Sequence, residues 1–257
     1  MSTERLSTRL SKDELALGTI VHTSDATLVE LIALAGYDWV SLTLEHSSPT
    51  IVELESIQRA ADLHGVSTLL HIPTADDPRV LASLHTGLDG IILQQVTTRA
   101  DAEALVMVTK FPPLGRRGAF SGLRDDRYGL EPYDDLMTKV NDDLLVGVAI
   151  EDPLGVENVD DIISVPGINI LFVGLHDLSH AIGAPNDIRD PRILDAISTC
   201  AAAAKRKGIP LGLPAYAHSV AELRDMGAQL VVSPASEYGF ILKSFKEYLD
   251  GVRSSLN

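Results

Sequence analysis

Short apolar runs alternate with longer amphipathic segments along the whole chain. The short runs are rich in valine, isoleucine and leucine and lack strict polar alternation, which is typical of strands buried on both faces of a parallel sheet. The longer segments carry apolar residues at i, i+3 and i+4, which predicts helices packed against that sheet. The predicted strands are residues 18–21, 39–43, 67–70, 90–93, 145–150, 170–173, 211–213 and 230–232. The predicted helices are residues 28–35, 51–63, 100–109, 156–163, 193–207 and 220–226.

The residues between these segments support the same alternation. Asp25 is placed to cap the first helix, because its carboxylate can accept a hydrogen bond from a free backbone N–H group. No linker or low-complexity tract divides the chain. The pattern therefore predicts an α/β fold, a TIM (β/α)8 barrel that forms a single domain over residues 1–257, with a doubly wound sheet as the alternative. Glycines that can end helices stand at Gly36, Gly65, Gly87, Gly208 and Gly227.

One segment departs from the alternation. Residues 110–142 separate the predicted helix 100–109 from the fifth strand and contain the adjacent prolines Pro112 and Pro113, followed by Arg116-Arg117-Gly118. A connection of this length in a barrel usually has a functional role or contacts another subunit.

Composition and charge narrow the class of partner. The chain has a formal net charge of -15, so its surface repels phosphate backbones and anionic lipids, which argues against nucleic acid and membranes as partners. Cys200 is the one cysteine, and its apolar helical surroundings indicate a buried filler rather than a nucleophile. The first 20 residues lack the apolar stretch of a signal peptide, which predicts a cytoplasmic location.

Polar residues that directly follow strands are the candidates for chemistry. In a parallel barrel, catalytic side chains lie beyond the C-terminal ends of the strands, where the loops converge. This rule selects residues after the second to the sixth predicted strands. They are Glu45, His46, His71, Gln94, Gln95, Glu151, Asp152, His176 and Asp177.

Glu151 and Asp177 predict a metal site. They follow adjacent strands, so both carboxylates can reach one ion at the barrel mouth. Two carboxylates with open coordination positions suit a hard cation such as Mg²⁺ or Mn²⁺. The alternative is that both acids only cap the helices that follow them.

His46 is the strongest candidate for a general base, because imidazole exchanges protons near neutral pH. The alternative is an ordinary surface histidine at a strand end. Gly174, Leu175, His176 and Asp177 open a helix after the sixth strand, and the free backbone N–H groups there form a natural seat for a carboxylate.

These residues occur in an order and spacing that resemble the HpcH/HpaI family of metal-dependent, class II pyruvate aldolases, over nearly the whole chain. The resembling segments are residues 35–40, 45–46, 111–118, 150–151, 166–168 and 172–179.

The resemblance implies a hexamer, built as a trimer of dimers with a swapped C-terminal helix. Glu151 and Asp177 match the ligands of Mg²⁺, Mn²⁺ or Co²⁺, to which a 2-oxo acid binds through its carboxylate and ketone oxygens. The metal then acts as a Lewis acid that stabilises the enolate formed when the C3–C4 bond to the departing aldehyde breaks. His46 matches a proton-transfer residue, and the arginine-rich loop is expected near the pocket or a subunit interface.

Three positions depart from the family pattern. Thr43 stands where the family has an aspartate that orients the histidine, so the resemblance implies a weaker base at His46. His71 stands where the family has an arginine that contacts the substrate oxygen, and a histidine offers one contact in place of a charged fork. Ala149 replaces a glutamine two residues before the metal-binding glutamate.

The sequence thus supports two hypotheses. The first is a metal-dependent carbon–carbon lyase acting on a 2-oxo acid and an aldehyde. The second is a diverged barrel that performs other metal-enolate chemistry, such as decarboxylation, or only binds a carboxylic acid. The predicted site comprises His46 and His71 as catalytic residues, Gln95, Gly174, Leu175 and His176 as substrate-binding residues, and Glu151 and Asp177 as metal ligands.

Overall fold

The fold is a closed barrel of parallel strands. The structure is a computed structural model that describes residues 4–256. Within these residues, eight strands pair in sequence order, and the first closes on the last. This confirms the predicted barrel over the doubly wound alternative. The strands are β1 (Ala16–Val21), β2 (Trp39–Thr43), β3 (Ser67–Ile72), β4 (Gly90–Leu93), β5 (Leu145–Ile150), β6 (Ile170–Val173), β7 (Leu211–Pro214) and β8 (Ala228–Val232).

Helices surround the barrel, and each predicted helix has a counterpart. The predicted helix 156–163 is divided between two short helices, and the helix predicted to open at Gly174 after the sixth strand is present. Four further helices were not predicted: two are short, and the other two lie outside the segments that the sequence analysis assigned. The helices are α1 (Leu6–Ser11), α2 (Ala26–Leu34), α3 (Ile51–His64), α4 (Val80–Leu84), α5 (Arg99–Thr109), α6 (Tyr133–Asp143), α7 (Pro153–Glu157), α8 (Val159–Ile163), α9 (Leu175–Ala181), α10 (Pro191–Lys207), α11 (Val220–Asp225) and α12 (Glu237–Ser254). None of the described helices is both long and apolar enough to cross a bilayer.

The predicted helix boundaries agree with the local hydrogen bonds. The Asp25 carboxylate accepts from the backbone N–H of Thr27, so it caps α2 as predicted. The glycines predicted to end helices all have positive φ, and Gly65 and Gly208 are the left-handed residues directly after α3 and α10. This conformation costs glycine little because it has no Cβ.

Two aromatic side chains fill the interior of the barrel. Trp39 and Phe172 are both buried, and their ring centroids lie 5.9 Å apart in an edge-to-face arrangement. Glycines on the neighbouring strands make room for them: a Cβ on Gly18 would lie 2.2 Å from the Trp39 ring, and one on Gly212 would lie 2.4 Å from the Phe172 ring. The interior is therefore packed below the level of the C-terminal mouth.

The long connection before β5 packs around the opposite, N-terminal end of the barrel. Lys110 is buried, and its Nζ donates to the backbone oxygens of Val140, Asn141 and Leu144. Arg117 pairs with Asp125 at 2.7 Å. The arginine-rich loop therefore lies away from the C-terminal mouth of its own chain, so of its two expected locations only a subunit interface remains as a prediction.

Candidate active site

A cavity of about 380 Å³ opens at the C-terminal ends of the strands. This is the end of a parallel barrel where catalytic residues gather. Most of the predicted site residues line it, and they do so because each follows a strand or ends one. The lining residues from the predicted set are His46, His71, Glu151, Gly174, Leu175, His176 and Asp177.

Glu151 is a buried carboxylate at the end of β5. Its side chain accepts a hydrogen bond of 2.8 Å from the backbone N–H of Gln95. Burial, with smaller contributions from the negative charges of Asp177 and Glu45, raises the pKa of Glu151 to about 7. A buried carboxylate beside other acids has an uncompensated charge, which a bound cation would neutralise.

Gly174 is required for the position of Glu151. A Cβ at residue 174 would lie 2.2 Å from Oε1 of Glu151 and 2.6 Å from its Cγ. The absence of a side chain on Gly174 therefore leaves the space that the carboxylate occupies. Besides opening the helix as predicted, Gly174 acts directly on the position of the Glu151 carboxylate.

The helix-capping alternative for the acids is not supported for Glu151. Its neighbour Asp152 caps α7, because the Asp152 side chain accepts from the backbone N–H of Leu154. Gly174 occupies the N-cap of α9, and no side-chain cap hydrogen bond is present there. Glu151 is thus left facing the cavity, whereas Asp177 lines the cavity from the first turn of α9, where its charge also suits the helix dipole.

The donor set fits a hard divalent cation held by two protein ligands. Glu151 and Asp177 both line the cavity and supply oxygen donors, which Mg²⁺ and Mn²⁺ prefer. No group of three or more His, Cys, Asp or Glu residues within residues 4–256 is arranged to hold a metal. A cation here would therefore keep open positions for water or substrate oxygens.

The raised pKa of Glu151 predicts a pH-dependent stability of the metal-free protein. The folded-state pKa of about 7 exceeds the ordinary 4.5, so ionisation of Glu151 weakens folding as pH rises through this window. We expect metal-free Glu151→Gln to be more stable than wild type at pH 8, by about 3 kcal/mol. The difference should vanish near pH 4.5. Urea unfolding with a chelator at both pH values measures it, with exposed Glu103→Gln as control.

His46 has a carboxylate partner despite the loss of the family aspartate. Oγ1 of Thr43 accepts from the backbone N–H groups of Glu45 and His46, at 3.0 and 3.2 Å, and so is committed to the main chain. The Glu45 carboxylate instead lies 3.4 Å from Nε2 of His46. Threonine therefore shapes the turn, Glu45 is the charged neighbour of His46, and the weaker base at His46 stays a prediction.

His71 projects from β3 into the cavity as a neutral group. It lies within the strand, not after it, and its ring meets Phe172 edge-on at 5.7 Å. Burial lowers the pKa of His71 to about 4. Its Nε2 and the Oε1 of Gln94 are buried and make no hydrogen bond of good geometry in the described part of the chain, although Gln94 lies close enough to His71 to oppose the fall of its pKa. Such orphaned atoms are rare and point to a ligand or water that satisfies them.

The low pKa of His71 predicts that its imidazole stays neutral between pH 5 and 8. We expect no titration of its ring signals between pH 5 and 8 in a histidine NMR spectrum, with His71→Gln used to assign them. Because the unfolded chain binds this proton near pH 6.5, stability is lost as pH falls from there towards 4. A midpoint for His71 near 6.5 would contradict the burial argument.

Two predicted substrate-binding residues have other contacts as well. The His176 ring lies 4.0 Å from the ring of Tyr216, measured between centroids. Gln95 does not line the cavity, whereas Gln94 does. With a positive φ of 53°, Gln95 directs its N–H to Glu151 and its side-chain amide to Glu45. Gln95 therefore positions Glu151, which lines the cavity, and also contacts Glu45, which does not.

Several lining residues were not predicted, although the same rule selects two of them. His22 directly follows β1 and Ser233 directly follows β8, so both stand where catalytic residues are expected in a barrel, whereas the predicted candidates all follow the second to sixth strands. Tyr216 lies two residues beyond β7, and burial, with Asp177 and Glu151 adding to it, raises its pKa. Tyr216 has no signature in the sequence beyond its place after a strand.

The acid-rich cavity at the mouth of a closed (β/α)8 barrel places the protein among the barrel enzymes. A family model described as HpcH/HpaI aldolase/citrate lyase matches residues 17–237. The chain belongs to this family and is a carbon–carbon lyase.

Individual relatives agree with this assignment. The 2-keto-3-deoxy-L-rhamnonate aldolase of Escherichia coli K12 is 30% identical over 216 residues, which cover 83% of this chain and 80% of the relative. A solved HpcH/HpaI aldolase/citrate lyase family protein from Burkholderia cenocepacia is 29% identical, with a TM-score of 0.88 over 96% of this chain and 98% of its own. The citrate synthase SbnG is 25% identical, with a TM-score of 0.86 over 98% of each chain.

Proposed function

We propose that the protein is a divalent-metal-dependent aldolase that cleaves a 4-hydroxy-2-oxo acid to a pyruvate-type 2-oxo acid and an aldehyde. The observation that carries this proposal is the pair Glu151 and Asp177, which line one cavity on adjacent strand ends. The name of the Escherichia coli relative, an aldolase of a 2-keto acid, supports the substrate class.

Glu151 and Asp177 would hold the cation, Mg²⁺, Mn²⁺ or Co²⁺. When bound, it supplies Lewis-acid stabilisation of negative charge on the 2-oxo group. The backbone of Gly174, Leu175 and His176 would orient the substrate carboxylate at the start of α9. The neutral His71 would contact a substrate oxygen through its unpartnered Nε2, without contributing charge.

The chemistry of the cavity favours an uncharged aldehyde. No lysine or arginine of the described chain lines it, so nothing from this chain would balance an anionic group remote from the metal. The same observation argues against Schiff-base chemistry, which requires a lysine in the site. His46, with Glu45 at 3.4 Å, is placed to exchange protons with the substrate or with water.

Proton NMR of pyruvate in D₂O tests the proposal without knowledge of the aldehyde. We expect Mg²⁺-loaded protein to exchange the methyl protons for deuterium, a chelator to stop the exchange, and added Mg²⁺ to restore it. The loaded protein should also condense pyruvate with uncharged C2–C4 aldehydes faster than with aldehydes that carry a carboxylate. Exchange that survives complete metal removal would contradict the proposal, and so would its absence in loaded protein.

The departures at His71 and Ala149 favour a second candidate function. A neutral histidine and a small alanine leave the floor of the site with less charge and hydrogen bonding than the family pattern implies. A diverged barrel with this floor would decarboxylate an unusual acid or only bind a carboxylic acid. Metal binding by calorimetry, together with no proton exchange and no condensation, would support this candidate.

The C-terminal helix predicts a homo-oligomer. Large apolar side chains on α12 face solvent, with Phe245 71% and Tyr248 78% exposed. An exposed apolar surface of this kind marks an interface. We propose that residues 1–257 form one domain that assembles as a hexamer, a trimer of dimers, through this helix. Light scattering should give six chain masses for wild type and a smaller species for Phe245→Glu, with Leu63→Glu on α3 as the control for added charge.

A further inference from the structure

A second histidine–carboxylate pair lies in the wall of the cavity. His22 directly follows β1 and lines the cavity, and Glu237 is the first residue of α12. In a closed barrel of eight strands in sequence order, β1 stands opposite β5, the strand that Glu151 directly follows. His22 therefore faces the end of the cavity remote from the proposed cation.

Glu237 holds His22 through three contacts. Its Oε1 accepts from the backbone N–H groups of His22 and Thr23, at 2.5 and 2.8 Å, and its Oε2 lies 3.4 Å from Nδ1 of His22. The Glu237 side chain is 1% exposed, so water does not compete for these contacts. The Tyr238 ring stacks on the imidazole at 5.8 Å with an interplanar angle of 14°. The Glu237 carboxylate thus restrains the imidazole at its edge, and the Tyr238 ring restrains it on one face.

These contacts determine which ring nitrogen is basic. A carboxylate only accepts hydrogen bonds, so Nδ1 must carry the proton that it donates to Glu237. Nε2 then holds the free lone pair, and no protein partner within residues 4–256 engages it. This is the arrangement by which a carboxylate orients a histidine for proton transfer. His46 differs, since its side chain is 60% exposed and its Nε2 is the nitrogen nearest a carboxylate.

The His22–Glu237 pair has features that attachment of α12 to the barrel does not by itself require. The two backbone N–H groups already occupy Oε1 of Glu237, so anchoring α12 to the barrel does not need an imidazole. The ion pair with His22 is also the one that Glu237 makes among the described residues. His22 remains 24% exposed on the cavity side, accessible to a ligand, whereas its carboxylate is enclosed.

We propose that His22 is the proton-transfer residue for the acceptor end of the substrate and that Glu237 is its positioning residue. This inference rests on the proposed aldolase function. In cleavage, Nε2 takes the proton of the C4 hydroxyl, the C3–C4 bond breaks, and C4 becomes the aldehyde carbonyl. The electron pair of that bond remains on the 2-oxo acid fragment as its enolate, which later takes a proton from solvent at C3. In synthesis, the same nitrogen returns the proton to the aldehyde oxygen.

The test compares two reactions of one variant. Exchange of the pyruvate methyl protons involves no C4 hydroxyl, so His22→Asn should retain it within about twofold. Cleavage of 4-hydroxy-2-oxopentanoate by the Mg²⁺-loaded protein should fall in kcat by about 10² or more, the usual contribution of a general base. The introduced side-chain amide keeps a donor towards Glu237, which preserves the local fold. His64→Asn, at a paired histidine outside the cavity, is the matched control and should leave both rates unchanged.

Glu237→Gln tests the positioning role. It keeps an oxygen for the backbone N–H groups but removes the charge, so kcat for cleavage should fall while KM and methyl exchange stay near wild type. Cleavage by His22→Asn at the wild-type rate overturns the inference and leaves the aldolase proposal intact. Equal loss of exchange and cleavage in either variant assigns the pair a structural role. Wild-type protein without exchange contradicts the aldolase function itself.

Discussion

Glu151→Gln is expected to abolish methyl-proton exchange of pyruvate, with a fall of about 10³ or more in rate. The amide keeps the size of the side chain but loses the charge that a cation requires, and a catalytic metal contributes several kcal/mol of transition-state stabilisation. Calorimetry with Mg²⁺ and Mn²⁺ should show a matching loss of affinity. The measurement is exchange in D₂O at pH 8, where wild-type Glu151, with a pKa of about 7, is ionised.

The controls separate loss of metal from loss of fold. Glu103→Gln removes an exposed carboxylate on α5 and should leave both exchange and metal binding unchanged. The metal-free Glu151→Gln protein should unfold at higher urea concentration than wild type at pH 8, because it lacks a buried charge. A variant that is folded yet retains wild-type exchange with the same metal affinity would remove Glu151 from the site.

Gly174→Ala is expected to disable the site through a single methyl group. The added Cβ would lie 2.2 Å from Oε1 of Glu151, a separation that real Cβ atoms do not show, so the carboxylate must move. The backbone of residue 174 has φ -85° and ψ 94°, which alanine adopts without strain. The effect is therefore on Glu151 alone, and we expect metal affinity to fall by about 10².

A compensating change tests this cause directly. Glu151→Asp shortens the side chain, so the double variant Gly174→Ala with Glu151→Asp should bind metal more tightly than the additive effect of the two single changes predicts. Gly251→Ala places a methyl group in α12 with no neighbour within 4 Å and is the control for glycine replacement. Additive losses in the double variant would show that Gly174 does not act through the carboxylate.

Much of the fold could be predicted because it depends on local patterns. The Val/Ile/Leu runs indicated all eight strands. The cap at Asp25 and the glycines after helices indicated where helices begin and end. The helix that opens after Gly174 was predicted and is α9, whereas the short helices α1 and α4 were not predicted, because five or six residues carry too little of a helical period. The position of the arginine-rich loop also required the structure, because it follows from the buried Lys110 and Arg117.

For the site, the sequence by itself determined which residues can meet. Residues that follow parallel strands converge at one mouth, so Glu151, His176 and Asp177 were predicted to share a cavity from their positions alone. Only the tertiary structure decided how they are used. The pKa of Glu151 and the pairing of His22 with Glu237 depend on burial and on contacts between residues that are distant in sequence. The position of each strand along the chain is encoded locally, whereas the electrostatic environment of a side chain is the sum of all its neighbours in space.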